Sequence, residues 1–331
     1  MNETLALSAA SLPRIAGRVI DDAVVELPRY ERKLDKRICH IGIGRFHRAH
    51  QAHYLHKLLQ QGAAAGWGLC GIGLRAPDRE VQAQLAAQDG LYSLWEMDGA
   101  QRRACVIGSL MQQVDASADS TQAIAVMADP ATRIISLTVT EKGYCLGADG
   151  ELDASHADIV HDLARPTHYR SAPGLIAAAL DARRKAGHGG VTLMSCDNLI
   201  ENGHALKRSV LGYARCADAA LAQWIEASVS FPCSMVDRIT PVDNPPLRVA
   251  FCRDWGVQDV ALVQCEPWLQ WIIEDHFVAG RPPFEKAGAV ISDRVPRYED
   301  MKVGMLTGGH SALSHLGLLE GHVLVHKALD D

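Results

Sequence analysis

Residues 37–50, RICHIGIGRFHRAH, decide how this chain folds. The apolar run at 37–42 predicts a short buried strand. Gly42 and Gly44 then form a Gly-x-Gly turn opening a helix expected to run to about residue 61. Gly42 allows a tight turn. Gly44 lets backbone approach a pyrophosphate at the helix N-terminus, where free N–H groups and the helix dipole favour anions. A strand ending in Gly-x-Gly and turning into a helix is the layout of a dinucleotide-binding unit. The third glycine of that fingerprint is replaced by His47, so the motif alone is nearly as compatible with a plain glycine turn.

The same helix carries His47, His50, His53 and His56 at three-residue spacing. Neighbours three apart can share a metal, but each step drifts by about 60° around the helix, so the four do not share one face. No Cys-x-x-Cys pair accompanies them, and the nine cysteines are scattered. A zinc-dependent dehydrogenase is therefore the weakest reading, and no metal is expected.

Further along, WGLCGIGL at 67–74 predicts a second strand, with Asp78 just beyond it. An acid there can hydrogen-bond ribose hydroxyls and repel the phosphate of NADP. It can equally cap the helix that follows. Strands are expected at LYSLWEM and RRACVIGSL around a turn at Asp98 and Gly99, then at 132–140 and 190–196, with helices at 121–127, 172–187 and 203–227. The strand at 132–140 leads to Glu141, and the strand at 190–196 leads to Asn198. Strand carboxyl ends are where chemistry gathers in open α/β sheets. Residues 231–241 read as irregular, 247–252 and 259–265 as strands, and 1–36 as a loosely structured lead-in. A boundary is placed near 286, with only helix beyond it.

That last part, YEDMKVGMLTGGHSALSHLGLLEGH at 298–322, reads as one helix. Lys302, Thr307 and His310 fall at about 0°, 140° and 80° around it, close enough to face one cavity if the helix is regular. Leu313, Leu316, Leu318 and Leu319 read as its core face. Gly308 and Gly309 each cost about 1 kcal/mol relative to alanine in a helix, which points to a close approach there. The plain alternative is a solvated lysine and a core histidine.

With 331 residues, 48% hydrophobic, 22% charged and a net charge of −6, the chain has the composition of a soluble protein of about two domains. No basic run suggests a nucleic-acid partner. No apolar stretch approaches the roughly 20 residues that span a bilayer. The N-terminus lacks the pattern of a secretory signal, so a cytoplasmic location is expected.

Taken together, HIGIGRFHRAHQA, SLTVTEKGYC, MSCDNLIENG, FPCSMVDRITP, CEPWLQWIIEDHF, GRPPFEKAGA and the Lys302–His310 helix resemble the mannitol dehydrogenase family of polyol-specific long-chain dehydrogenases. The resemblance implies an α/β fold. A Rossmann-type doubly wound domain at 1–286 would be followed by the start of an all-helical substrate domain at 287–331. It implies metal-independent hydride transfer between NAD and a sugar alcohol or ketose. D-mannitol to D-fructose is the first expectation, with D-arabinitol oxidation and fructuronate reduction as alternatives. Lys302 matches the general base, Asn198 an oxyanion-stabilising asparagine and His310 a substrate-orienting histidine. Gly42, Gly44 and Asp78 match cofactor positions, Asp78 favouring NAD over NADP. Phe46 and Glu141 complete the expected cofactor set. Beyond the small-molecule substrate no nucleic-acid or membrane partner is implied, and the chain is expected to be a monomer or weak oligomer. Two departures stand out. Thr307 occupies the place of an asparagine in the family motif, and a shorter hydroxyl donor there puts catalysis in question. The chain also stops at Asp331, where family members continue, so a catalytically inactive dinucleotide-binding protein is a second expectation.

Overall fold

A computed structural model describes residues 4–98, 101–165 and 167–322. Its central sheet has five parallel strands, Lys36–Ile41, Trp67–Gly73, Leu110–Asp115, Thr132–Leu137 and Thr192–Ser195. Numbered in chain order they lie side by side as 3-2-1-4-5, the strand order of the dinucleotide-binding doubly wound sheet. Side chains alternate between the two faces of a strand, and both faces are covered. Cys39, Ile41, Ile135 and Leu137 pack with Leu175, Ile176 and Val210, from helices Ala172–Lys185 and Asn202–Ala217. Ile38, Leu69 and Ile134 pack on the other side with Ala52, Leu55 and Leu58 of helix Gln51–Gln60. Two covered faces explain why these strands are apolar throughout rather than alternating.

Several expectations are corrected by tertiary context. The helix at 42–61 is two helices, Arg45–Ala49 and Gln51–Gln60, broken at His50 (φ −112°, ψ −86°). No glycine or proline marks the break. Instead the His50 ring reaches the Gln270 carbonyl at 2.8 Å. Residues 203–227 divide at Asp218, whose carboxylate accepts the Ala220 N–H at 2.9 Å and caps helix Ala219–Ser228. Residues 247–252 are helical, within Pro245–Trp255. Asn244 caps this helix, proline occupies its first turn and Gly256 closes it in the left-handed region, so capping signals outweigh a local apolar run. The strand read at 259–265 is confined to Val263–Cys265. The stretch read as irregular contains Ser234–Asp237, a strand antiparallel to Gln270–Ile273.

The lead-in is structured as well. Leu5–Ala6 pairs with Val257–Gln258, and Leu7, Ile15, Ile20 and Val25 join Trp95, Phe251 and Trp255 in a third core. Single side chains contributed to a distant core leave no periodic trace. The turn read at Asp98 and Gly99 lies partly outside the described residues. Among those described, no helix is long and apolar enough to cross a membrane.

Beyond residue 286 the chain is not wholly helical. Val290–Ile291 first adds a strand parallel to Gln270–Ile273. The expected single helix at 298–322 is three pieces: helix Val295–Met301, a π-helical turn Lys302–Thr307, and helix Gly308–Leu319. A π turn bonds i to i+5, bringing Lys302 and Thr307 nearer to one side than α geometry allows. The expected core face is not buried, because Leu316, Leu318 and Leu319 are 61%, 66% and 82% exposed. Nor is anything close to the two glycines. A Cβ at Gly309 would have nothing within 4 Å, and one at Gly308 only the Val303 carbonyl oxygen at 3.7 Å.

Candidate active site

Strands Lys36–Ile41 and Thr132–Leu137 are neighbours at the point where the sheet order reverses, the place where doubly wound sheets bind ligands. Gly42 and Thr138 follow them directly. Gly42 adopts φ +93°, and a Cβ there would run into the Thr138 carbonyl oxygen. Gly44 is the N-cap of Arg45–Ala49, and no atom lies within 4 Å of where its Cβ would stand. The ground over this helix N-terminus is therefore open, and its free N–H groups suit an anionic group. A cavity of about 1250 Å³ begins here, lined by Gly44, Phe46, Thr138, Thr140 and Glu141. Asn198, Asp237, Trp268, Lys302, Thr307 and His310 complete its functional lining.

Lys302 is the hub. Its Nζ donates to Asn198 Oδ1 at 3.1 Å and to the Val236 carbonyl at 2.6 Å, and stands 3.2 Å from Asp237 Oδ1. Three elements far apart in sequence meet at this atom: the loop after Thr192–Ser195, the end of Ser234–Asp237, and the start of the π turn. Lysine only donates, so Asn198 must turn its oxygen to Lys302. Its Nδ2 makes no bond among the described residues and remains a donor for a ligand oxygen. Asp237 uses its other oxygen to accept from Trp268 Nε1 at 3.2 Å.

Asp197 holds the loops that frame this hub. Its Oδ2 accepts from the Val139 N–H (3.0 Å) and the Tyr144 hydroxyl (2.8 Å), and its Oδ1 from the Thr140 N–H (2.9 Å). Burial raises the Asp197 pKa, while these three bonds pull it down. Thr140 sits at φ 66°, ψ 165°, a region essentially reserved for glycine. A β-branched residue persists there because its surroundings over-determine it. Sequence reading missed Thr140, Asp237 and Trp268: Asp237 ends a strand hidden in an apparently irregular stretch, and the other two carry no local signal of their own.

Gly42 and Asp78 lie outside the cavity lining. Asp78 opens helix Asp78–Ala86, and its Oδ2 accepts the Leu74 and Arg75 N–H groups, both at 2.9 Å. These amides precede the helix, whose N-cap position is Pro77 with no side-chain cap bond, so Asp78 ties down the loop after strand Trp67–Gly73 rather than capping the helix. Its Oδ1 has no bond among the described residues.

The four spaced histidines serve packing. His47 stacks on His40 with ring centroids 3.5 Å apart, His53 accepts from Arg238 at 2.8 Å, and His56 bonds the Tyr30 hydroxyl at 2.8 Å. No group of three or more metal-ligating side chains occurs among the described residues. Desolvation lowers His47 and His50 to about 3 and His56 to about 4, and lowers His40 and His53 as well. Because folding depresses these values, the unfolded state binds more protons once the pH falls below about 6.5. Stability present above that pH is lost on the way down to the folded values, at about 1.4 kcal/mol per pH unit for each such histidine. The melting temperature is thus expected to fall steeply from pH 6.5 to pH 4 in differential scanning calorimetry. A flat profile would contradict the neutral, buried state of these rings.

The model for the mannitol dehydrogenase Rossmann domain matches residues 36–286. The mannitol 2-dehydrogenase of Cereibacter sphaeroides is 46% identical over 306 residues, covering 92% of this chain and 64% of that protein. The D-mannonate oxidoreductase of Escherichia coli K12 is 46% identical over 294 residues, covering 88% of this chain and 60% of that protein. Among solved structures, Pseudomonas fluorescens mannitol 2-dehydrogenase in ternary complex with NAD and D-mannitol superposes with a TM-score of 0.90 at 42% identity. The match covers 99% of this chain and 66% of that one. The chain thus spans just under two thirds of the length of the curated relatives it matches.

Proposed function

The chain belongs to the mannitol dehydrogenase family, and from that premise we propose that it is an NAD-dependent polyol dehydrogenase acting through Lys302 as general base. D-mannitol, giving D-fructose, is the first candidate substrate, and the working form is a monomer or weak oligomer. The observation that carries this reading is the Lys302–Asn198 pair at 3.1 Å, in one cavity with the open turn at Gly44. The residues present fit the cofactor. Gly44 leaves room for a pyrophosphate at the N-terminus of Arg45–Ala49, Gly42 makes the turn, and Phe46 and Glu141 line the space beside it. NAD bound there would supply the hydride acceptor. Lys302 takes the proton of the reacting hydroxyl. Asn198 Nδ2 and the Thr307 hydroxyl donate to the oxygen as it gains charge, and His310 orients the neighbouring hydroxyls. Lysine as base needs a neutral amine in oxidation, and as acid an ammonium in reduction, so the two directions respond oppositely to pH.

A panel of mannitol, arabinitol, sorbitol and fructuronate followed at the NADH absorbance tests the assignment. No turnover with any of them counts against the enzyme reading. A second reading is a dinucleotide-binding protein without turnover. It is favoured by Thr307 and by the exposed helix Gly308–Leu319 on one wall of the cavity, and it predicts NADH binding by calorimetry beside a silent assay.

Two substitutions refine the proposal. Thr307→Asn adds a longer donor and is expected to raise oxidation about tenfold, part of the 10²–10³ that one missing oxyanion donor can cost. Unchanged or lower turnover would show that the hydroxyl already suffices or takes no part. Asp78→Ala removes the carboxylate next to the expected ribose site and should narrow the preference for NADH over NADPH by about tenfold. Equal binding of both cofactors by the unmodified chain would leave Asp78 only as the acceptor of the Leu74 and Arg75 amides.

A further inference from the structure

His40 takes no part in the chemistry above, yet it is fully buried at the centre of the sheet, two residues before the Gly42 turn. Its Nε2 lies 2.9 Å from Thr138 Oγ1, and Thr138 Oγ1 lies 2.8 Å from the Gly42 carbonyl oxygen. Only one assignment of protons satisfies this chain. The carbonyl can only accept, so the Thr138 hydroxyl donates to it. Thr138 Oγ1 must then accept from an Nε2–H, which fixes the tautomer of the neutral ring. That leaves Nδ1 as the acceptor for the Ser136 hydroxyl, at 2.8 Å. His47 stacks on the ring of His40 at an interplanar angle of 13°, closing that face to other partners. Burial, with His47 beside it, keeps His40 neutral. Gly42 is held from its other side too, since its N–H donates to the Ile72 carbonyl at 3.1 Å, and Thr138 N–H donates to the Ile41 carbonyl at 2.9 Å.

We propose that His40 is a positioning residue for the dinucleotide turn, acting through the Thr138 hydroxyl on the Gly42 carbonyl and so setting where the Ile43 and Gly44 N–H groups point. This inference rests on the proposed NAD binding. The relay couples the sheet interior to the turn through two side chains, so breaking it at either one leaves the Gly42 peptide free to rotate. Rotation of that peptide carries the following amides away from the pyrophosphate, which weakens binding without touching Lys302.

The test measures NADH affinity by calorimetry and amide hydrogen exchange at Ile43 and Gly44, with melting temperature alongside. His40→Leu and Thr138→Val are each expected to weaken NADH about tenfold, equivalent to about 1.4 kcal/mol, and to speed exchange of those amides. The double variant should lose little more than either single one, because both break the same chain. His40→Gln, which keeps an N–H near the Nε2 position, and Thr138→Ser, which keeps the hydroxyl, are expected to recover most of the affinity. Ser136→Ala removes the bond on the far side of the ring. It should lower the melting temperature while leaving NADH affinity and exchange at the turn unchanged. A purely structural His40 would instead lower the melting temperature in all variants with affinity and local exchange unmoved, and that result overturns the proposal. If His40→Leu does not fold, Thr138→Val decides alone. If the unmodified chain binds no NADH, the cofactor reading fails. The exchange data still decide the relay, and equal exchange in the unmodified and Thr138→Val chains overturns it.

Discussion

Lys302→Ala is expected to lower polyol oxidation by about 10²–10⁴, the usual contribution of a positioned general base, while NADH affinity changes less than twofold. The size of the effect follows from how the amine is held. Its bonds to Asn198 and the Val236 carbonyl, with Asp237 at 3.2 Å, fix the nitrogen in three directions. A water entering the vacated space would lack that arrangement. The loss also spreads to Asn198, whose oxygen is turned toward Lys302 and whose Nδ2 is therefore aimed elsewhere. With the amine gone the amide can flip and withdraw its donor from the developing oxyanion. Cofactor contacts are assigned to a different part of the cavity wall, so binding and turnover should separate cleanly. Steady-state rates with mannitol, read beside NADH titrations, check this. Turnover retained at the unmodified level would return Lys302 to the status of a helix lysine that happens to be paired. Small amines added to the Lys302→Ala chain are expected to restore part of the oxidation, since they supply the missing base.

The second large effect separates two glycines that sequence reading treats as one motif. Gly42→Ala is expected to destabilise the fold and to abolish measurable NADH binding, whereas Gly44→Ala should leave the melting temperature nearly unchanged and weaken NADH at least tenfold. At Gly42 the backbone has φ +93°, and the added methyl meets the Thr138 carbonyl oxygen. The left-handed conformation alone costs an alanine on the order of 1–3 kcal/mol, and a backbone atom cannot swing away as a side chain can. One of the two strands at the switch point must therefore shift. At Gly44 the backbone is extended and nothing stands within 4 Å of the new methyl. The fold tolerates it, but the methyl occupies the open ground where a pyrophosphate would approach the helix N-terminus. Thermal melts and NADH calorimetry on both variants provide the check. Equal loss of stability in the two would remove the distinction, and unaltered NADH binding by Gly44→Ala would place the pyrophosphate elsewhere.

Legibility in the sequence followed the range of the forces involved. Long apolar strands buried on both faces, such as Trp67–Gly73, announce themselves because every residue carries the signal. So does the Gly42–Gly44 turn, where Gly42 is required by its backbone φ of +93°. Helix breaks without proline or glycine were not legible. His50 interrupts its helix where its ring bonds Gln270, 220 residues away in sequence. Residues 247–252 read locally as a strand yet lie within helix Pro245–Trp255, although Asn244, Pro245 and Gly256 carry cap chemistry for a helix.

Residue type and short-range spacing sufficed for the strand and glycine turn at 37–44 and for naming Lys302, Asn198 and His310 as candidates, while the doubly wound sheet was what the family resemblance implied. How these side chains meet is a matter of tertiary structure. It supplied the π turn that brings Lys302 and Thr307 toward one side and the Val236 carbonyl and Asp237 that hold the amine. It also supplied the Asp197 carboxylate that pins Thr140 in glycine territory, and it left Leu316, Leu318 and Leu319 in solvent where helical periodicity placed a core. Each of these depends on what lies across the fold from a residue. Periodicity can say that a face is apolar, but burial needs a partner surface, and a hydrogen bond needs two groups brought within about 3 Å, as Lys302 and Asn198 are across 104 residues of chain.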